Sequence, residues 1–467
     1  LLSASAPALA FDTGHHADLV ASVMRERGFS EAAIRGTQVA NWCTDYFSVS
    51  PTSRDALETE LPKLHFDNLY DTDDVAEYWG RLVDNARAAT ARAAESEDPL
   101  AVLTIMGLFL HAVQDFYSHA NWVETHPREP GAPYRRETWL ADGPGTTNAV
   151  RTGSYPPYPS PPPPGHPEHG GYDTGLNKDS HVRPLWAEAY VFAYLASHEV
   201  LDLMEAWAEH SRPGWWERVR GLELGAKDLK RLDRDVEASR DLSMSVKGKG
   251  SDGHWKGDGS GNPKKMSEVA LEWTTKPASV FVRQVKKHRV HEQLTRGLYS
   301  GQKPPPLPDV RPFRESRRVI VVALTHVEEK RDGGRRIDPH GKADLYSVVT
   351  VAGQRYVDRV LRGTRRQVDP WITLHFADPR ETDIPIRIEV WDQDAMIRAN
   401  PDLCDAHPEL GKQVLDLRFR PGDGHLAGDL EGRYDGPEAA FETAGEKPDA
   451  NRIVLRGYVT SRLIRDR

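Results

Sequence analysis

The segment HAVQDFYSH constrains this chain more than any other. It closes a stretch, residues 100–118, in which Leu103, Met106, Leu108, Leu110, Val113 and Phe116 spread apolar side chains nearly all round a helix. Such a helix belongs at the centre of a bundle, and Pro99 is tolerated at its first turn. His111, Asp115 and His119 nonetheless recur on one face of it, at i, i+4 and i+8. Polar groups in that position are costly unless they are bonded or bind something. Imidazole and carboxylate together suit Zn²⁺ or a similar divalent ion; the alternative is a hydrogen-bonded polar seam.

Other candidate ligands lie on separate segments. His15 and His16 come early, Asp45 sits in NWCTDYF, and LHFDN supplies His65 and Asp67. Downstream, GLNKDSHVRPLWAEAY adds Asp179, His181 and Glu188. Each alone reads as a surface or capping residue. Spread over several helical segments, they are what a polynuclear site in a helical bundle requires, because carboxylates must offset several positive charges. Histidine is also abundant, 19 in 467 residues.

Composition narrows the alternatives. Lys and Arg number 61 against 70 Asp and Glu, a net charge of −9 without a basic cluster, so a general polyphosphate-binding surface is excluded. Two cysteines, Cys43 and Cys404, exclude a disulfide scaffold and a Cys-rich zinc module. No run of 18 apolar residues occurs. LLSASAPALA at the start reads as an apolar leader fragment ending in an A-x-A-type processing site. Cleavage after Ala10 would make Phe11 the first residue of a secreted protein.

The expected fold is multidomain α + β. Residues 1–10 are the leader remnant and 11–300 an all-helical metal domain with Pro-rich and Gly/Ser-rich insertions. Residues 301–314, containing KPPPLP, form a linker, and 315–467 an antiparallel β-sandwich. The strands are expected near 319–324, 345–351, 371–376, 384–391, 414–419 and 452–459. Between the helical stretches, residues 127–175 culminate in SYPPYPSPPPPGHPEHGG, which suits polyproline II and not a packed core.

With these residues in view, the helical part resembles the zinc-dependent phospholipase C superfamily, and HAVQDFYSHANWVE and GLNKDS look closer to its Het-C-like branch. The resemblance implies three zinc ions in an all-helical domain, the first held by the amino nitrogen and carbonyl of Phe11. It further implies His16 as the next ligand, with His15 the fallback, then His65, His111 and Asp115. Asp45 would be the bridging carboxylate and would orient or deprotonate the attacking water. The family's histidine six residues past the aspartate has no counterpart; His119 stands at four instead. Its final H-x-x-x-E is replaced by His181 and Glu188, seven apart. That position stays open to His126, His166, His169 and His198, of which His166 and His169, in the Pro-rich tract, read as surface residues. The implied function is a secreted zinc-dependent phospholipase C acting on membrane phospholipids. The alternatives are a zinc-dependent single-strand nuclease or a Het-C-like toxin with structural metal.

The β-rich part resembles a C2 domain. Asp338 and Asp344 precede a Tyr-containing strand, Asp392 and Asp394 end IPIRIEVWDQD, Asn400 follows, and VDPWITLHF matches a Pro-Trp segment. The resemblance implies Ca²⁺ on these loop oxygens and a phospholipid membrane surface as partner, with Met396 and Ile397 at the loop tip and no nucleic acid in the leading reading.

Overall fold

The computed structural model describes residues 13–48, 61–126, 134–135, 138–142, 149–155, 161–170, 175–179, 183, 185–245, 283–284, 290, 293–294, 317–330, 343–358, 371–378, 380–392, 402–436, 439–446 and 451–465. Helices fill the N-terminal part and antiparallel sheets the C-terminal part, in two compact units. Tyr134 and Arg135 belong with the second unit.

Among the described residues of that second unit, twelve strands form two sheets: β1 (Tyr134–Arg135), β2 (Arg317–Glu329), β3 (Leu345–Val351), β4 (Gln354–Val357), β5 (Trp371–Ala377), β6 (Ile384–Asp392), β7 (Asp402–Leu403), β8 (Leu415–Arg420), β9 (His425–Gly428), β10 (Gly432–Arg433), β11 (Phe441–Ala444) and β12 (Ile453–Arg465). One sheet runs β1-β12-β2-β5, with β11 also paired to β12. The other runs β10-β9-β8-β6-β3-β4, with β7 on β6. Among these strands, the pairings are antiparallel except β1 with β12. Alternation writes the sandwich: in β6, Ile384, Ile386, Ile388 and Val390 point inward while Pro385 and Arg387 face solvent. They share a core with Val322 and Leu324 of the opposite sheet and with Trp371. Ala352 and Gly353, both at positive φ, turn β3 into β4.

The first unit is a helical bundle: α1 (Thr13–Glu26), α2 (Glu31–Ser48), α3 (Thr72–Glu95), α4 (Pro99–His119), α5 (Trp186–Ser211), α6 (Trp216–Arg220) and α7 (Ala226–Ser245). In α3 the buried Val75, Trp79, Leu82, Ala86, Ala89 and Ala93 recur every three or four residues, and Asp71 caps its start by accepting from the Asp74 N–H. Asp98 caps α4 in the same way, accepting from Ala101 N–H with Pro99 in the first turn. Helix α4 is buried from Ala101 to its end and packs against α2, α3 and α5. By length and composition it could cross a membrane, but 94% of its most apolar window is buried inside the structure, as a core helix requires.

The approach of α2 to α4 depends on one residue. A Cβ on Gly107 would lie 2.6 Å from Thr37 O, 2.6 Å from Ala40 Cβ and 2.7 Å from Asn41 N. Neighbouring backbone cannot give way cheaply, so Gly107→Ala should push the helices apart. The expected cost is about 1–3 kcal/mol, the range for overpacked cores, read as a lowered denaturant midpoint at unchanged slope. An unchanged midpoint would mean the crossing is not tight.

Candidate metal centre

Two groups of ligand atoms gather around α4. In the first, His16 from α1, His65 from the segment before α3, and His111 and Asp115 from α4 converge. Asp115 Oδ1 stands 3.0 Å from His16 Nε2, while Asp115 Oδ2 stands 3.0 Å from His111 Nε2 and 2.9 Å from His65 Nδ1. His111 Nε2 and His65 Nδ1 are 3.1 Å apart. Donor atoms around a tetrahedral ion with bonds of ~2.0–2.1 Å stand about 3.3 Å from one another, so these spacings suit a first-row divalent ion. All four residues are buried.

A hydrogen-bond chain fixes two of the rings. Ser197 Oγ donates to the Ala193 carbonyl and so accepts from Gln114 Nε2 at 3.0 Å. That turns Gln114 Oε1 toward His16 Nδ1, at 2.7 Å, and toward Asn41 Nδ2, at 3.2 Å. Asn41 Oδ1 in turn faces His111 Nδ1 at 3.3 Å. Both Nδ1 atoms therefore carry the proton, and both Nε2 atoms present lone pairs to the carboxylate. Burial drives the His111 ring down to about 3, although Asp115 opposes this. Burial also works against an ionised Asp115, but His111 and His16 outweigh it and hold the carboxyl well below its usual range. A neutral imidazole aimed at a carboxylate is a donor set that fits a cation.

The second group contains Asp67, His119 and His169, with one ligand atom from each within 4.8 Å of the others. Asp179 joins it, with Oδ1 3.0 Å from His119 Nε2. Burial opposes a charge on His119, yet Asp67 and Asp179 outweigh it and lift the ring to about 10. Burial and the neighbouring His119 take His169 down to about 4.

LHFDN serves both groups. Phe66 and Asn68 adopt positive φ, 53° and 60°, so His65 and Asp67 turn toward different groups. Phe66 is buried against Tyr78, Trp79 and Phe116.

The remaining expected ligands fall elsewhere. His15 packs on Trp186 and Tyr190 and is in neither group. Glu188, half-buried in the first turn of α5, is in neither of the groups found among the described residues. His181 and Phe11 lie outside the described residues, and Asp45 lies within α2 with its side chain outside the description. His126 stacks on Trp122, His166 contacts the Thr152 carbonyl, and His198 meets Arg27 and Glu26. His169, expected at the surface, is buried beside His119. Residues 161–168 of the Pro-rich tract are exposed or half-buried and only His169 turns inward there; ahead of the tract, Val150 and Thr152 are buried. Gln114, Asn41 and Ser197 were not anticipated, though a Gln and a His on an otherwise apolar helix were visible signals.

In the β unit, Asp392 is buried and its Oδ1 accepts the Asp344 N–H at 2.8 Å. Asp338, Asp394, Asn400, Met396 and Ile397 lie outside the described residues.

Comparison with known proteins places the sequence likeness elsewhere than expected. The profile of the VWA7 N-terminal domain family matches residues 49–134, a stretch holding His65, Asp67, His111, Asp115 and His119. The chain is 31% identical over 218 residues to rat von Willebrand factor A domain-containing protein 7, covering 38% of this chain and 23% of that protein. It is 37% identical over 99 residues to the human protein of that name, covering 21% and 10%. The chain thus spans less than a quarter of the length of these curated relatives. Among solved structures, a C2 domain aligns at 13% identity and TM-score 0.19 over 32% of this chain and 99% of that one. The Clostridium perfringens alpha-toxin aligns at 10% identity and TM-score 0.17 over 97% and 98%. Scores this low carry no argument about function.

These matches correct the functional expectation. Sequence likeness runs to VWA7 proteins, so the secreted zinc-dependent phospholipase C and its nuclease and Het-C-like alternatives are set aside, together with the Het-C-like assignment itself.

The hydrogen-bond chain gives a prediction that does not depend on any activity. Gln114→Met keeps the volume but removes the acceptor for His16 Nδ1. Affinity for zinc, measured by competition with a chromophoric chelator, should fall about 10–100-fold, the usual effect of losing a partner that orients a ligand. Unchanged affinity would show that the amide does not orient the ring.

Proposed function

We propose that the helical unit is a zinc-binding domain in which an ion at His16, His65, His111 and Asp115 clamps α1, α4 and the segment before α3 together. The observation carrying this reading is the buried Asp115 carboxylate facing Nε2 lone pairs whose opposite nitrogens are held by Gln114 and Asn41. His16, His111 and Asp115 would supply three ligands and His65, beside His111 and Asp115, the fourth; zinc so held would have no position left for substrate, the pattern of a structural site. Zinc bound there would stabilise the fold by linkage, about 2.7 kcal/mol at free zinc a hundredfold above its Kd.

For the β unit we propose a C2-like sandwich that takes calcium where Asp344 and Asp392 meet at one end of β3 and β6. Oxygen ligands on adjoining loops suit that ion, and extracellular modules bind it at about 0.1–1 mM.

Elemental analysis of protein purified without chelator should find zinc, and Asp115→Asn should lose it. Adding a chelator should lower the thermal midpoint of the wild type and leave that of Asp115→Asn unmoved. A wild type free of transition metal would overturn the reading. Zinc-loaded protein is expected to hydrolyse bis(para-nitrophenyl) phosphate no faster than buffer does. Zinc-dependent turnover abolished by Asp115→Asn would replace the clamp with a catalytic centre. Calcium titration of the full chain by calorimetry reads the second proposal, and no heat of binding up to about 1 mM would sink it.

A further inference from the structure

Residues 161–164 are four consecutive prolines, and they fix their own backbone. Each ring holds φ at about −65°, and a residue that precedes proline is pushed toward extended ψ. Pro161, Pro162 and Pro163 all precede proline, so sterics alone place them in polyproline II, a left-handed helix with about three residues per turn. Pro164 precedes Gly165, and there the chain turns. The His166 N–H donates to the Pro163 carbonyl at 3.0 Å, and Gly165 takes a φ of 75°. Proline followed by a glycine at positive φ is the pattern of a type II turn, in which the proline keeps extended ψ. Pro164 therefore continues the path of the three before it.

These rings do not pack away. Pro161, Pro163 and Pro164 are exposed and Pro162 is half-buried. Lacking N–H groups, they cannot extend a helix or a sheet ladder and offer only carbonyl acceptors. The frame that presents them is nonetheless fixed. Ser154 donates to the Pro167 carbonyl through its N–H, at 3.0 Å, and through Oγ, at 3.2 Å, while its own carbonyl accepts the His169 N–H at 2.9 Å. Asn68 pairs with both backbone groups of Tyr155, each at 2.8 Å. His166 Nε2 donates to the Thr152 carbonyl at 2.8 Å, and its ring meets Tyr70 edge-on. A Cβ on Gly153 would lie 2.5 Å from His169 Cα, so the two ends of the frame are in backbone contact. Residues 156–160, outside the described residues, are no part of the site.

We propose that residues 161–164 are a docking segment for a protein domain whose groove is lined by aromatic side chains. Pro161 and Pro164 stand one turn apart on the same edge of polyproline II, the P-x-x-P spacing that such grooves read. The segment is ordered before it binds, which removes much of the entropy cost of docking. No Lys or Arg occurs from residue 152 to residue 177. The contact therefore rests on proline rings and carbonyl acceptors and not on an ion pair. The proposal is independent of the zinc reading, in which residues 161–164 ligate nothing.

The test measures binding of the full chain to a purified WW domain and a purified SH3 domain, both of which carry such grooves, by surface plasmon resonance. At least one should bind saturably with a Kd below about 1 mM. Salt at about 1 M, which screens charges beyond about 3 Å, should leave that affinity within about twofold. Replacing Pro161→Ala together with Pro164→Ala should weaken binding by about tenfold or more, a change of about 1.4 kcal/mol, while Glu168→Gln, beside the tract, should not change it. Hydrogen exchange at Ser154 and His169 should match the wild type in the double variant, which shows the frame intact. Where it quickens, Pro161→Ala alone, ahead of the turn, is measured instead, and unweakened binding there would overturn the proposal. Binding kept by the double variant, binding abolished by salt, or no saturable binding to either domain would overturn it as well.

Discussion

An ionised carboxylate at the middle of an apolar helix is the constraint around which the helical unit is arranged. Asp115 is fully buried on α4, and an isolated buried carboxylate costs several kcal/mol even after relaxation. What offsets that cost comes from four other parts of the chain. His16 must arrive on α1, His65 on the turn before α3, and the amide chain must run from Asn41 on α2 through Gln114 to Ser197 on α5. Helix α2 can deliver Asn41 only because Gly107 lets it approach α4 so closely. The bundle's crossing points are thus placed where the carboxylate needs partners.

Much of this was legible, and for identifiable reasons. Period-3.6 burial put α4 at the centre, and period-2 alternation put the sandwich after residue 315. His65, His111 and Asp115 could be gathered because their residue types are uncommon on such segments. The division into two groups was implicit in helix geometry. At about 1.5 Å rise per residue, His111 and His119 stand about 12 Å apart along α4, too far to share one ion, so His119 had to serve a separate group. His169 was not legible. Proline-rich composition argues against a packed core, and residues 161–168 are indeed exposed or half-buried; His169 alone turns inward there, where Gly153 and Gly175 permit close backbone contacts that no side-chain pattern announces.

Function was the least legible level. Ligand spacing records which residues can hold a metal, and that is a property of local geometry. Whether the metal reacts depends on an open coordination position and a pocket, neither of which a motif encodes. The stretch matched by the VWA7 N-terminal profile includes five of the clustered residues, so similarity to those proteins and the presence of a metal-binding donor set are compatible. A resemblance carried by ligands alone could not separate a clamp from a hydrolytic centre.

The two groups are mechanically linked through one residue. His65 presents its ring to Asp115 while its carbonyl receives the His119 Nδ1–H. Moving that backbone disturbs both. Its position is held by a segment that is itself strained, since Phe66 and Asn68 adopt a left-handed conformation that costs L-residues about 1–2 kcal/mol each. Burial of the Phe66 ring against Trp79 and Phe116 offsets one of these, and the paired bonds from Asn68 to Tyr155 offset the other. Strain of this kind persists only where the surroundings over-determine the backbone. Here the aromatic core supplies one side of that determination and the His169 loop the other. Loosening the loop would therefore be felt at Asp115 through His65.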